Sequence, residues 1–288
     1  MHFTKMHGSG NDYIYLDAIR QDLSEEDLPR LARLLSDRSF GIGGDGIILV
    51  MSSDEADFRM RMFNADGSEA EMCGNGMRCF AKYVHEHGLT AKTDLVIQTG
   101  AGLIRPRLHV EGGQVVSVTV DMGTPRLARN AIPMAGEPAD EPVVDQPLEV
   151  DGHEYRVTCV SMGNPHCVLF VDDVPSAPVT TLGSLVEHHP AFPARTNVEF
   201  IRVVEPTVLE MRVWERGSGE TLACGTGASA SVVAANLNGK ASRACTARLR
   251  GGDLLIEWAD DGHVLLTGPA VEVFSGEVEP AALSRRPS

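Results

Sequence analysis

The pattern of apolar and polar residues predicts the same local structure twice in this chain. Residues 61–77 read RMFNADGSEAEMCGNGM, and residues 212–228 read RVWERGSGETLACGTGA. In each window an alternating apolar run predicts a strand, a polar Gly-rich bend predicts a turn, and Cys-Gly-x-Gly precedes a segment with helical character. The windows align without gaps at an offset of 151 residues. We therefore predict a duplicated strand–turn–helix unit, with Cys73 or Cys224 at the helix N-terminus.

The remaining pattern predicts elements in an order that also repeats. Apolar alternation and turn residues predict strands at 2–6, 13–19, 47–51, 57–63, 95–98, 102–110, 114–121, 153–161, 166–171, 197–204, 207–214, 244–249, 253–258, 263–268 and 271–275. Helical periodicity predicts helices from a start at Ser24 and Asp27 to about Asp37, and at 75–87, 181–189 and 225–238. The order is nearly the same in both halves, so we expect an α+β fold of two pseudo-symmetric domains.

The domain boundary is predicted from proline content. Five prolines and little periodicity mark residues 123–147 as the connection between the domains. We expect residues 1–122 to form the N-terminal half and 123–269 the C-terminal half, with the last strand, at about 270–276, returning to the first domain. Residues 280–288 have the composition of a disordered tail.

Charge and targeting signals exclude several classes of partner. The net charge of −15 argues against binding to nucleic acid or to anionic membranes. The N-terminus lacks the features of a signal peptide, and no run approaches the roughly 18 apolar residues of a membrane span. We expect a cytoplasmic protein that acts on a small molecule, with a homodimer as one possible assembly.

The cysteines do not predict a metal site. The chain has six, at 73, 79, 159, 167, 224 and 245, and no CxxC pair that is typical of zinc sites. Four of them, namely Cys79, Cys159, Cys167 and Cys245, lie in apolar patterns and are expected in the core. The GIGGDG motif at 41–46 follows a helix and precedes a strand, which is the reverse of the dinucleotide-binding order.

Two thiols at helix N-termini indicate a specific chemistry. Helix amides and the helix dipole favour a thiolate, so we expect the pKa of Cys73 and Cys224 to be lowered. The amides of Gly74, Asn75, Gly225 and Thr226 can bind a carboxylate. One sulfur could remove an α-proton while the other delivers one to the opposite face. That is a two-base racemisation or epimerisation, which requires no pyridoxal phosphate or other cofactor.

Several polar turn residues could complete such a site. Arg216 can bind a carboxylate in a bidentate manner, and Glu215 can accept a hydrogen bond from an ammonium group. His166 could relay a proton or cap a loop. Four asparagines are either turn formers or a set that lines a ligand site; these are Asn11, Asn64, Asn164 and Asn197.

At these residues the chain resembles the diaminopimelate epimerase family. The matching segments are KMHGSGND (5–12), FNADGSEAEMCGNGMRC (63–79), SMGNPHC (161–167), TNVEF (196–200) and ERGSGETLACGTGA (215–228). The resemblance implies two α+β domains, each a mixed sheet wrapped around a central helix, with the active cleft between them. It implies a PLP-independent isomerase of lysine and peptidoglycan precursor synthesis that interconverts LL- and meso-diaminopimelate.

The resemblance also implies roles for individual residues. Cys224 would take the proton from the LL isomer and Cys73 would return one, with His166 and Glu215 supporting the proton transfers. Substrate binding would involve Asn11, Asn64, Gly74, Asn75, Asn164, Asn197, Glu215, Arg216, Gly225 and Thr226. Some family members have a ligand-contacting Gln where this chain has Gly46, so Gly46 is not assigned to the site.

Two alternative functions are also compatible with the sequence. A racemase of the same architecture could act on another amino acid, such as histidine, because a fold alone does not define a substrate. The second alternative is a thiol-based redox or metal-binding module without isomerase activity, which predicts a bound metal or a disulfide that forms and breaks under physiological redox conditions.

Overall fold

The computed structural model describes residues 1–283, and both helices and strands occur throughout that range. The strands are β1 His2–Gly8, β2 Asn11–Asp17, β3 Gly46–Met51, β4 Phe58–Asn64, β5 Glu69–Ala70, β6 Ile97–Thr99, β7 Gly102–Ile104, β8 Arg107–Glu111, β9 Gln114–Asp121, β10 Gln146–Val150, β11 His153–Ser161, β12 Pro165–Phe170, β13 Asn197–Glu205, β14 Val208–Glu215, β15 Gly219–Thr221, β16 Ala244–Leu249, β17 Gly252–Trp258, β18 Val264–Gly268 and β19 Val271–Glu277. The α-helices are α1 Leu28–Ser36, α2 Gly74–Glu86, α3 Val179–Glu187, α4 Gly225–Leu237 and α5 Pro280–Leu283.

The chain forms two compact units. The first comprises Met1–Val120 together with the C-terminal segment from Gly268, and the second comprises Asp121–Thr267. In the first unit the strands are ordered β19-β1-β2-β3-β4-β6-β7, and β5 pairs with β4. Two neighbouring pairs, β2 with β3 and β4 with β6, are parallel, and the others are antiparallel.

The second unit repeats this sheet. Its strands run in the order β10-β11-β12-β13-β14-β16-β17-β18, and β15 pairs with β14. The pair β11–β12 corresponds to β1–β2 in the first unit. Counted from these pairs, the second and fourth strand pairs are parallel in both units, and in the second unit they are β12 with β13 and β14 with β16. The sequence repeat is therefore a repeat of sheet topology, and the predicted α+β class is confirmed.

Each central strand is buried on both faces, which explains its nearly continuous apolar sequence. In β12, Val168 packs into the core around α4, whereas Cys167 and Leu169 pack into the core around α3. In β3, Ile47 and Leu49 pack into the core around α1. Because side chains alternate along a strand, Ile48 points to the opposite face.

The helices that follow the two cysteines lie at the centre of their units. Helix α2 packs against β1, β2 and β3, and α4 packs against all the strands from β11 to β14 and against β16 and β17. In α4, every residue from Gly227 to Ala235 is buried. A helix that is covered on all sides must be small and apolar, as the sequence GASASVVAA is.

Two local predictions need correction. The helix predicted from Ser24 starts instead as a 3-10 turn at Glu25–Asp27, and the Ser24 side chain makes no capping hydrogen bond. The α-helix proper begins at Leu28, with a proline in its first turn. The predicted strand 102–110 is divided into β7 and β8 at Pro106, which has no amide hydrogen for the ladder.

The proline-rich segment 123–147 is packed rather than a free connection. It contains a 3-10 turn at Arg129–Ala131 and the start of β10. Ile132 and Val143 are fully buried in the core around α3. Their apolar side chains lie at irregular spacings, so periodicity could not reveal them.

The predicted tail at 280–288 begins with an ordered turn. Pro280–Leu283 forms the short helix α5, and Leu283 packs against the core around α1. The packing of Leu283 contributes free energy that offsets the conformational entropy lost when this segment is ordered. Residues 284–288 lie outside the described residues.

Gly46 generates a prediction about stability. A Cβ atom there would lie 2.1 Å from the Phe63 carbonyl oxygen on the neighbouring strand. We expect Gly46→Ala to lower the free energy of unfolding by about 1–3 kcal/mol because backbone must move. The matched control is Gly276→Ala, whose Cβ would meet only the Phe3 ring, at 3.1 Å. Denaturant unfolding of both variants tests this, and an unchanged free energy of unfolding for Gly46→Ala would show that β3 and β4 have room for a side chain.

Candidate active site

Cys73 occupies the N-cap position of α2. Cys73 follows strand β4 and its turn, and its backbone is extended, with φ −139° and ψ 120°. Its sulfur accepts a hydrogen bond from the Gly76 amide, at 3.4 Å. The thiol thus takes the place of the serine or aspartate that usually caps a helix, next to unpaired backbone amides.

Two asparagines surround this thiol. The Cys73 thiol donates to Oδ1 of Asn11, at 3.3 Å, and the Asn75 side chain donates to the same oxygen, at 3.3 Å. Asn11 in turn donates to Asp45, at 2.6 Å. Arg78, one turn into the helix, is fully buried and donates to Oδ1 of Asn75, at 2.9 Å. No carboxylate pairs with Arg78 among residues 1–283, so a positive charge remains near Cys73. We call the surroundings of each N-cap cysteine a half-site.

Asn64 is not part of this group of contacts. It lies at the end of β4, opposite Gly46, and its side chain donates to Ser68, at 3.0 Å. Its predicted contact with a substrate stays a prediction.

Cys224 occupies the equivalent N-cap position, of α4, with φ −129° and ψ 113°. Its sulfur lies 3.4 Å from the Thr226 hydroxyl, and its side chain is 6% exposed. The Glu215 carboxylate accepts a short hydrogen bond from the Thr221 hydroxyl. Its negative charge lies near Cys224 and contributes to raising the pKa of that thiol.

A chain of hydrogen bonds leads away from this thiol into the core. The Asn164 side chain donates to the Thr226 hydroxyl, at 3.2 Å, and its Oδ1 lies 3.0 Å from Nε2 of His166. Nδ1 of His166 donates to Oε1 of Glu199, at 2.7 Å, and both side chains are fully buried. The structure thus connects Cys224, Asn164 and His166, and adds Glu199, which the sequence analysis missed.

Asn197 and Arg216 form a neighbouring contact. Oδ1 of Asn197 accepts from the Arg216 backbone amide, at 2.9 Å, and its Nδ2 donates to the Pro165 carbonyl, at 2.8 Å. The Arg216 guanidinium donates to the Ala194 carbonyl, at 3.0 Å. Within the described residues it has no carboxylate partner, so its charge is available to a ligand.

The expected lowering of the thiol pKa values is wrong for the resting protein. Cys73 is half-buried, and desolvation of its sulfur raises the pKa of the thiol. The Gly76 amide, the Tyr13 hydroxyl and the Arg78 guanidinium only partly offset this effect. Burial and the nearby carboxylates of Glu215 and Glu199 raise the pKa of Cys224 well above its usual range. Desolvation therefore outweighs the helix N-terminus at both positions.

The other cysteines behave as the sequence predicted. Cys79, Cys159, Cys167 and Cys245 are each at most 1% exposed, and all six cysteines are free. No group of three possible metal ligands occurs within residues 1–283. Every helix in the same range is too short or too polar to cross a bilayer.

Glu199 could have been found from one signal. It is the lone charged residue of the apolar run NVEFI, at the start of β13. A buried carboxylate costs free energy unless it has a partner, so its position in such a strand indicates a specific role.

Comparison with known proteins identifies the family. The model of the family described as diaminopimelate epimerase matches residues 3–128 and 158–273. The chain belongs to the diaminopimelate epimerase family. A diaminopimelate epimerase from Moorella thermoacetica is 59% identical over 278 residues, which cover 96% of this chain and 99% of that protein. One from Geobacillus kaustophilus is 55% identical over 276 residues, or 95% of each chain.

Solved structures share the fold at low identity. A phenazine biosynthesis protein of the PhzF family from Bacillus anthracis has a TM-score of 0.69 and 18% identity, and covers 97% of this chain and 99% of that chain. A probable proline racemase from Agrobacterium radiobacter has a TM-score of 0.68 and 16% identity, and covers 98% and 95%. The chain thus shares its fold with these two proteins.

The role of the Arg216 guanidinium in substrate binding can be tested by substitution. If its guanidinium binds a substrate carboxylate, Arg216→Lys should raise KM about 10-fold or more, because a bidentate contact becomes a point charge. The matched control is Arg156→Lys in the same unit, where the arginine pairs with Asp145 on the surface, at 2.8 Å. Steady-state kinetics of both variants checks this. A KM for Arg216→Lys equal to that of the wild type would assign Arg216 a structural role only.

Proposed function

We propose that the chain is a cofactor-independent, two-base epimerase that interconverts LL- and meso-diaminopimelate. The main support is that each unit has one cysteine at the N-cap of its central helix. The chain also belongs to the diaminopimelate epimerase family. Curated relatives at 52–59% identity, over nearly the whole chain, carry that name. The proposed reaction belongs to lysine and peptidoglycan precursor synthesis.

The helix N-termini are the proposed sites for the α-carboxylate. The amides of Gly74 and Asn75, and those of Gly225 and Thr226, lie in the first turns of α2 and α4. Such amides bind anions without a counter-charge from the protein. The distal amino-acid group of the substrate would bind to Arg216 and to the asparagine set, namely Asn11, Asn64, Asn164 and Asn197.

The proposed proton transfers involve no change of redox state. The Cα–H bond of the LL isomer breaks as an S–H bond forms on Cys224, and the electron pair is delocalised into the carboxylate. The S–H bond of Cys73 then breaks as a Cα–H bond forms on the opposite face. In the reverse direction the two cysteines exchange roles.

Desolvation of both thiols has a consequence for this mechanism. Thiolate formation is unfavourable in the resting protein, because burial raises both pKa values. The ammonium group of a bound substrate supplies positive charge in a desolvated site and so favours the thiolate. Glu215, whose pKa burial also raises, and His166 are proposed to support proton transfer at Cys224.

Two further expectations remain predictions. A cytoplasmic location follows from the pathway, and a homodimer would cover exposed apolar residues of the outermost strand β19. Val273 and Phe274 of that strand are 53% and 48% exposed. An apolar edge strand is a suitable surface for a second copy.

The mechanism predicts the effect of removing either thiol. Cys73→Ala and Cys224→Ala should each reduce kcat for epimerisation by about 10²–10⁴-fold or more, because either loss interrupts the cycle. Cys245→Ala removes a buried thiol outside the half-sites and should leave kcat unchanged. Kinetics with LL-diaminopimelate, together with circular dichroism to verify folding, tests this. Near-normal turnover by either single variant would refute a two-base reaction.

Substrate choice is tested with a panel. LL-diaminopimelate, L-histidine, L-proline and L-lysine are incubated with the protein in heavy water, and α-proton exchange is followed by NMR. We expect exchange with LL-diaminopimelate only. Faster exchange with histidine would instead indicate a related racemase, and exchange with none of them, in a protein that shows reversible disulfide formation, would indicate a redox module.

A further inference from the structure

Strand registers define which residues of the two units are equivalent. In the first unit Tyr13 of β2 pairs with Gly46 of β3, and in the second His166 of β12 pairs with Asn197 of β13. Both pairs join parallel strands at the same place in the repeated sheet. Two residues further along β3 and β13 lie Ile48 and Glu199, so these two are equivalent as well.

Both residues approach the cysteine-bearing helix at the same point. A Cβ on Gly76 would lie 2.7 Å from Cδ1 of Ile48 and 3.8 Å from the Cys73 sulfur. A Cβ on Gly227 would lie 2.7 Å from Oε1 of Glu199 and 3.4 Å from the Cys224 sulfur. The side chain next to the thiol is therefore a hydrocarbon in one unit and a carboxylate in the other.

Glu199 is an unusual carboxylate for this position. It is fully buried, and its Oε1 accepts from His166. Its Oε2 is buried without a hydrogen-bond partner within the described residues. Because Oε1 itself lies at Gly227, the negative end of the Glu199–His166 pair is directed toward Cys224.

The charges around the two sulfurs have opposite signs. The groups that face Cys224 are Glu199 from β13 and Glu215 from β14, with His166 of β12 behind Glu199. Near Cys73, Tyr13 is neutral and the charged group is the Arg78 guanidinium. The duplication has thus preserved the thiols but not the charge of their surroundings.

We propose that Glu199 is a positioning residue whose buried charge, directed by His166, keeps the proton on Cys224 in the resting protein and so makes the two thiols unequal. The pKa directions support this, since burial raises that of both thiols while Glu215 and Glu199 raise only that of Cys224 further. Its importance for turnover rests on the proposed function: Cys73 would be the first sulfur to act as a base, which favours the meso isomer as the first substrate of the resting protein.

The test is a titration that does not depend on activity. Protein labelled with ¹³C at cysteine Cβ is titrated by NMR, and the two signals are assigned with Cys73→Ser and Cys224→Ser. In the wild type we expect Cys73 to lose its proton at lower pH than Cys224. In Glu199→Gln, which keeps the shape, the Cys224 midpoint should fall by about one pH unit while that of Cys73 is unchanged. Glu199→Met, neutral and of similar volume, is a second variant that should give the same shift.

The matched control is Glu187→Gln. Glu187 is a second buried carboxylate of the same unit, and it accepts from Trp214, at 2.7 Å, and from the Gly217 amide, at 2.9 Å. Its loss should lower Tm without moving the Cys224 midpoint. The proposal would be overturned if the titration midpoint of Cys224 were the same in both Glu199 variants as in the wild type. Loss of epimerase activity with the expected titration would count against the proposed function alone.

Discussion

A desolvated sulfur atom at the N-terminus of a covered helix is the constraint on which the rest of the structure depends. Burial makes the charged form of a thiol costly, and at both Cys73 and Cys224 this effect exceeds the contribution of the helix amides. The sulfur is desolvated because a sheet encloses the helix. Small residues such as Gly76 and Gly227 stand where neighbouring side chains approach the helix most closely. The sheet in turn requires strands that are apolar on both faces. A proton-transfer site that works without a cofactor is consistent with this enclosure, since a desolvated site strengthens every interaction with a bound charge.

The duplication explains both the likeness and the difference between the half-sites. Topology and strand register are repeated, so each cysteine reaches the same N-cap position by the same route. Side chains behind the thiols are free to diverge, because the backbone does not depend on them. Tyr13 and Ile48 in one unit correspond to His166 and Glu199 in the other. An epimerase that treats two isomers has no need of equal thiols, because LL and meso substrates differ in the face that each sulfur meets.

Local patterns predicted most of the fold, and the failures have physical causes. Helix α4 was predictable because its cap and its Ala- and Val-rich sequence agree, and both cysteine N-caps followed from the repeat. Pro106 divides a strand whose apolar pattern continues through it, and the burial of Ile132 and Val143 has no periodicity. Glu199 was missed because its partner His166 lies 33 residues away. The direction of the thiol pKa shifts was also wrong, since burial depends on the whole unit and not on the helix end alone.

The most direct test of the central claim, that two different thiols act on one α-carbon, is the position of deuterium early in the reaction. LL-diaminopimelate is converted in heavy water, and substrate and product are separated and analysed by mass spectrometry before equilibrium. Two bases predict that the newly formed meso isomer carries deuterium at the inverted carbon, while the remaining LL isomer still carries protium there. Protium retained in the product, or deuterium appearing equally in both isomers from the start, would show that a single base serves both faces and would contradict the account.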